Sequence, residues 1–235
     1  MDKKLSILLV IPCFNEASNI DRLLKEIKGL KEDYDTLVID DGSSDETSHI
    51  ASCLSPCVKL IANLGIGGAV QTGIKYAREK GYDLCIQVDG DGQHPPDQIS
   101  FLIEKYKESG ANLVIGSRFI ANESFRSTWA RRLGINFIGW TIKWLYGARI
   151  TDPTSGLRLM DKKAMGIFAS RYPEDFPEPI SVAMALESGL TVQEVPVNMQ
   201  LRRYGNSSIA GRKKLTYMLR VIGYIVLMRL RKVML

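Results

Sequence analysis

Two aspartates separated by one glycine, Asp89 and Asp91, follow an apolar run in the stretch IQVDGDGQHPP. Alternate residues of an extended or turning backbone project to one side, so these two carboxylates face the same way. Like charges held together repel unless a cation sits between them, and hard oxygen donors favour Mg2+ or Mn2+. Such a cation would in turn carry a diphosphate. Two other readings use the same residues: a plain turn, because Asp and Gly are common turn residues, or a phosphorylation or hydrolysis site. Position favours the cation, since the pair closes a strand-like run and is trailed by Gln93, His94 and Pro95.

A second acidic pair, Asp40 and Asp41, ends another apolar run in VIDDGSSDET. Locally this reads as an Asx-turn leading into a helix capped by Ser44 or Asp45. Two adjacent acids at a strand end could also hold the ribose hydroxyls and base imide of a nucleotide. NLGIGGAVQTG brings Gly65, Gly67 and Gly68 before a helix and permits close backbone approach to a ligand. It is not GxGxxG in register and no P-loop lysine follows, which disfavours a Rossmann dehydrogenase or an NTPase. His94 sits beside prolines and His49 on a helix, so both read as structural or solvent-facing.

The elements that must position these residues alternate. LSILLVIP, DTLVIDD, VKLIAN, DLCIQVDG, ANLVIGSR and LTVQEVPVNM read as strands. Several are continuous aliphatic runs, as in strands covered on both faces. Between them NEASNIDRLLKEIKGL, SDETSHIASCL, GGAVQTGIKYAREKG and PDQISFLIEKYKESG have helical spacing. Repeated βα units predict an α/β fold, a mostly parallel sheet with helices on both faces. Ligands of such sheets sit at the carboxyl ends of the strands, where PCFNE, DDGSSD and DGDGQ all fall. Beyond residue 120, RSTWARRLGINFIGWTIKWLYGARI reads as an amphipathic helix with Leu133, Phe137, Trp140 and Trp144 at three- to four-residue spacing. TDPTSGLRLMDKKAMGIF reads as a turn passing into a helix.

The 235 residues are 45% apolar, enough for a proper core. The net charge of +5 is unevenly spread: from Arg202 onward there are nine Lys or Arg and no Asp or Glu. That pattern predicts a basic appendage, residues 212–235, on a domain of residues 1–211, and no nucleic-acid partner. The appendage is a strongly apolar helix interrupted by Arg220 and Arg229, short of the ~20 apolar residues that span a bilayer. It suits the membrane interface, with cationic side chains reaching lipid phosphates, or a contact within a homo-oligomer. Cys13, Cys53, Cys57 and Cys85 form no CxxC pair and, with only two histidines, do not suit zinc. They read as reduced thiols of a cytoplasmic protein. The N-terminal run passes straight into PCFNE and reads as a first strand, not a signal peptide.

The series IPCFNE, VIDDGSSDET, NLGIGGAVQTG, QVDGDGQHPP, IGSRF, DPTSGLRLMDKKA, PEP and EVPVNMQLRRYGNSSI closely resembles family 2 glycosyltransferases of the GT-A fold. The resemblance runs from about residue 7 to 209. It points to the branch that moves a sugar onto polyprenyl phosphate, such as dolichol-phosphate mannose synthases and undecaprenyl-phosphate glycosyltransferases. It implies that Pro12, Phe14, Glu16 and Asp41 line the base and ribose of a UDP- or GDP-linked sugar, with Asp40, Gly68 and Gln71 nearby. Asp89, Asp91 and Gln93 would hold Mg2+ or Mn2+ on the diphosphate. Arg118, Arg131, Arg202 and Ser207 would gather donor and acceptor phosphates, a task suited to arginine forks.

The reaction so implied is an inverting attack by an undecaprenyl or dolichyl phosphate on the anomeric carbon. A phosphate is already ionised at neutral pH and needs little general-base help. This bears on a departure: relatives commonly read PEPE where this chain has PEPI, so Ile180 replaces an acid. Glu178 remains, and Asp152 is a further acid able to organise the site. Tyr204, Gly205 and Asn206 also depart from the related GGKSSI. The resemblance implies peripheral attachment at the inner face of the cell membrane, with an integral-membrane partner for any lipid flipping. Two alternatives stay open: transfer to a glycan hydroxyl in polysaccharide synthesis, and a non-catalytic subunit that binds nucleotide sugar.

Overall fold

A computed structural model describes residues 4–30, 34–120, 129–199 and 213–234. Its centre is a seven-stranded sheet: β1 (Ile7–Cys13), β2 (Asp35–Asp40), β3 (Cys57–Lys59), β4 (Leu84–Gln87), β5 (Leu113–Ser117), β6 (Arg158–Asp161) and β7 (Val192–Pro196). The spatial order is β3-β2-β1-β4-β6-β5-β7. All strands run parallel except β6, which is antiparallel to both β4 and β5.

Alternation along the strands feeds two cores. Leu8, Val10, Leu37, Ile39, Leu113 and Ile115 point to one face, under α3 (Gly65–Glu79), α5 (Trp129–Tyr146), α6 (Lys162–Ser170), α7 (Pro177–Glu187) and α8 (Lys213–Met234). Leu9, Ile11, Val38, Ile86 and Val114 point to the other, under α1 (Ala17–Lys28), α2 (Thr47–Ser52) and α4 (Asp97–Ser109). Because both faces are covered, the strands are aliphatic at consecutive positions rather than at every second one.

Three elements depart from the sequence expectations. β6 interrupts what reads as a turn followed by a helix; its four residues are too few for a clear period, and Asp161 ends it by capping α6, accepting from the Ala164 amide at 2.9 Å. α7 lies in a stretch with no amphipathic stripe, because nearly all its residues from Pro177 to Ala185 are buried. At α2 the anticipated Ser44 cap does not form, whereas the Asp45 carboxylate accepts from the Thr47 amide at 3.0 Å just before the helix.

The aromatic stripe of α5 does not pack on the sheet. Ile135, Ile138 and Ile142 face the core, while Leu133, Phe137, Trp140 (70% exposed) and Trp144 (83% exposed) face solvent. α8 packs on α5 and α7, burying Val221 and Ile225 in the main core. Among the described residues no helix is long and apolar enough to cross a membrane.

Candidate active site

The carboxyl ends of β1, β2 and β4 open into one cavity of about 740 Å³. At β1 the chain turns through Asn15, whose positive φ of 54° is tolerated because the residue is held from both sides. Its amide donates to Ser43 Oγ at 2.9 Å and its Oδ1 accepts from the Ser44 amide at 3.0 Å. The loops after β1 and β2 are thus locked together. Pro12, Phe14, Asn15 and Glu16 form that wall of the cavity. Glu16 is buried and accepts from Asn19 Nδ2 at 2.7 Å.

The two acids of the second pair have different surroundings. Asp40 is fully buried behind the wall, where Oδ1 accepts from the Ser43 amide at 3.0 Å and Lys59 Nζ lies 3.9 Å from Oδ2. Asp41 lines the cavity, accepting from the Leu64 amide at 2.7 Å, and burial pushes its carboxyl above the usual range. Asn63, Gly65, Ile66 and Ala69 continue the wall from the glycine-rich stretch. Gly68 instead faces the Leu64 side chain, and Gln71 donates to the carbonyls of Phe168 and Ala169 at 3.4 Å, joining α3 to α6.

After β4, Gly90 lies so close to Cys13 that a Cβ would overlap Sγ, which fits the absence of a side chain between the two aspartates. Asp89 and Asp91 both line the cavity. Asp89 Oδ1 accepts from Gln87 Nε2 at 3.1 Å, and its amide donates to His94 Nδ1 at 3.3 Å. His94 is buried, and His49 is exposed on α2. Asp91 Oδ1 accepts from the Gln93 amide at 3.0 Å; Gln93 is engaged through its backbone at the rim and is not part of the wall.

Glu178, in the first turn of α7, also lines the cavity. Burial pushes its carboxyl up to about 6, Asp89 adds to the rise, and Arg158 and Arg118 oppose it. Phe176, just before α7, is left-handed (φ 51°), and Tyr217 of α8 meets its ring edge-on at 4.6 Å between centroids. Ile180 is 1% exposed and packs into the main core, so this position places no charge in the cavity.

Arg118 and Asp152, expected separately as a phosphate ligand and an organising acid, are joined to each other. Arg118 Nε and Nη2 donate to the two Asp152 oxygens, each at 2.6 Å, and Nη2 also donates to Thr154 Oγ1 at 2.8 Å. Both residues are buried, and Glu194 in turn accepts from the amides of Thr151 and Asp152 at 2.6 Å. Nothing in the sequence links partners 34 residues apart. Arg131 lies exposed in the first turn of α5. Arg202 and Ser207 lie outside the described residues.

Residues 8–168 match the family described as Glycosyl transferase family 2. The chain belongs to that family. It is 31% identical over 223 residues to the UDP-N-acetylglucosamine–dolichyl-phosphate N-acetylglucosaminyltransferase of Methanococcus voltae, covering 84% of this chain and 87% of the relative. It is 27% identical over 215 residues to the polyprenol monophosphomannose synthase of Mycolicibacterium smegmatis, covering 87% and 81%. Among solved structures, glucosyl-3-phosphoglycerate synthase from Mycobacterium tuberculosis, in complex with Mn2+, UDP-glucose and phosphoglyceric acid, superposes with a TM-score of 0.70 at 17% identity, covering 96% and 79%. The mostly parallel seven-stranded sheet and the helices around it match structures of the GT-A fold, and this family 2 chain is a glycosyltransferase.

The cavity wall of this glycosyltransferase carries five carboxylates, Glu16, Asp41, Asp89, Asp91 and Glu178, and no Lys, Arg or His among the described residues. A diphosphate could not enter so acidic a cleft without a countercharge. The two oxygen-donor carboxylates Asp89 and Asp91 suit a divalent cation. Among the described residues no group of three His, Cys, Asp or Glu could cage a metal alone.

Proposed function

We propose that the protein transfers a sugar, with inversion, from a UDP-sugar to a polyprenyl phosphate, with Mg2+ or Mn2+ bound at Asp89 and Asp91. The observation that carries this reading is the cavity whose charged lining, among the described residues, is five carboxylates including the aspartate pair, which calls for a nucleotide diphosphate brought in with a cation. The names of the relatives support the acceptor class. The cation, when bound, supplies charge to neutralise the departing diphosphate.

The protein's own residues do the rest. Phe14 and Pro12 offer apolar surface to a base, and Asp41 and Glu16 offer acceptors to base imide and ribose hydroxyls. Asp40, Gly68, Gln71 and the Arg118–Asp152 pair then act from behind, holding loops. Gln93 holds Asp91 in place through its backbone, and Arg131, Arg202 and Ser207 are the candidates for the acceptor phosphate. An acceptor phosphate oxygen forms the new bond to the anomeric carbon as the bond to the nucleotide diphosphate breaks, and that electron pair leaves with the diphosphate. No proton has to be removed from an ionised phosphate. The apolar face of α5 and the basic α8 would rest on the cytoplasmic face of an anionic membrane, where the lipid phosphate emerges.

One observation favours transfer to a glycan hydroxyl instead: Glu178 has a carboxyl near 6 on the cavity wall, as a general base would. Incubation with radiolabelled UDP-sugars, Mn2+ and undecaprenyl phosphate separates the readings. A lipid-extractable product supports the first. Label found only in added glycan supports the second, and binding without turnover points to a non-catalytic subunit.

A further inference from the structure

Arg158, at the start of β6, is 1% exposed, yet among the described residues no carboxylate oxygen lies within 4 Å of its guanidinium. All three nitrogens donate to neutral acceptors: Nε to the Ser155 carbonyl, Nη2 to the Pro153 carbonyl and Nη1 to Ser181 Oγ, each at 2.7 Å. Burying an arginine charge without an ion pair is costly, and a neutral side chain would hold a turn at lower cost. What the fork joins explains why it is there.

On one side is the turn that contains Gly156, which presses so closely on Asp89 that a Cβ would overlap its carboxylate oxygens. On the other is Ser181, whose hydroxyl also donates to the Glu178 carbonyl at 3.1 Å. β6 pairs with β4 so that Arg158 lies opposite Gln87, the residue whose amide holds Asp89 Oδ1. Both acidic walls of the cavity therefore refer to one planar, five-donor group.

We propose that Arg158 is a positioning residue for sugar transfer: by bridging the 153–156 turn to α7 it fixes how far Asp89 stands from Glu178. This rests on the cavity being the transfer site. The reversed direction of β6 is what makes the bridge available. Only an antiparallel strand between β4 and β5 starts, rather than ends, at the cavity side of the sheet.

The test compares Arg158→Lys, Arg158→Met and Ser181→Ala in the full chain. Measured are UDP binding in the presence of Mn2+, donor KM, kcat and thermal unfolding. Lysine keeps the charge but cannot span three acceptors, and Ser181→Ala breaks the bridge without touching the arginine. Both should keep nucleotide affinity within about threefold and lose kcat by about tenfold to a hundredfold, the scale of a 1 Å misplacement. The double variant should lose no more than Arg158→Lys alone, because both changes break one bridge. Wild-type kcat in folded Arg158→Lys and Ser181→Ala, with only a lowered melting temperature, would overturn the positioning role; if Arg158→Met does not fold, Ser181→Ala decides. Absence of UDP binding and of transfer in the wild type would overturn the functional reading and this inference with it.

Discussion

Glu178 is a carboxyl whose environment works against its charge. Burial raises its pKa to about 6 from an ordinary 4.5, with Arg158 pulling it down and Asp89 pushing it up. Between those two values the folded protein binds more protons than the unfolded chain, so stability falls as pH rises through the window. The unfolding free energy of the nucleotide-free protein, from urea titration, should drop by roughly 1–2 kcal/mol from pH 4.5 to 6.5, and Glu178→Gln should flatten that slope. An unchanged slope in the variant would assign the titration to another group. Asp91→Asn keeps shape and removes charge; it should abolish Mn2+-dependent UDP binding and lower transfer about a hundredfold or more, the order seen when one charge-stabilising group is lost. Full activity would refute the cation site. Asp91 was legible as an acid at a strand end, and Glu178 only through its place in the PEP motif. The bidentate pairing of Arg118 with Asp152 was not, because only the fold brings together residues so far apart in the chain.

β6 and its preceding turn show why a four-residue element can govern a site. Gly156 has no room for a side chain against Asp89, so Gly156→Ala should leave the fold intact and cut transfer about tenfold or more by displacing the carboxylate. Measuring kcat beside a circular dichroism melt checks both halves. α5 makes the complementary case. Its stripe of Leu133, Phe137, Trp140 and Trp144 has the spacing of a core face, and the sequence could not say whether sheet or solvent covered it. A parallel set of isoleucines, Ile135, Ile138 and Ile142, takes the core instead. Ile138→Ala should therefore cost about 2–4 kcal/mol of stability in urea unfolding. The Trp140→Glu/Trp144→Glu variant should melt like the wild type but lose flotation with anionic vesicles. Retained flotation would remove α5 from the membrane reading.

Across the whole molecule charge is segregated. α5 and α8 pack together and carry nine of the 31 basic residues, while all 26 acidic residues lie elsewhere in the chain. A surface of that sign should bind vesicles rich in acidic lipid, and binding should weaken as salt rises from about 0.05 to 0.5 M, since the Debye length shrinks several-fold. Salt-insensitive binding would leave only the apolar stripe to account for it. By itself the sequence determined the α/β class, the strands and helices with strong periods, and the placing of three acidic motifs at strand ends, because burial on two faces and turn chemistry are written in local residue order. Tertiary structure alone decided which acids face the cavity and which lie behind it, that Arg118 closes on Asp152, that Arg158 braces both walls, and that α5 turns its tryptophans outward. Those outcomes depend on contacts between distant segments and on a strand whose direction no local pattern encodes.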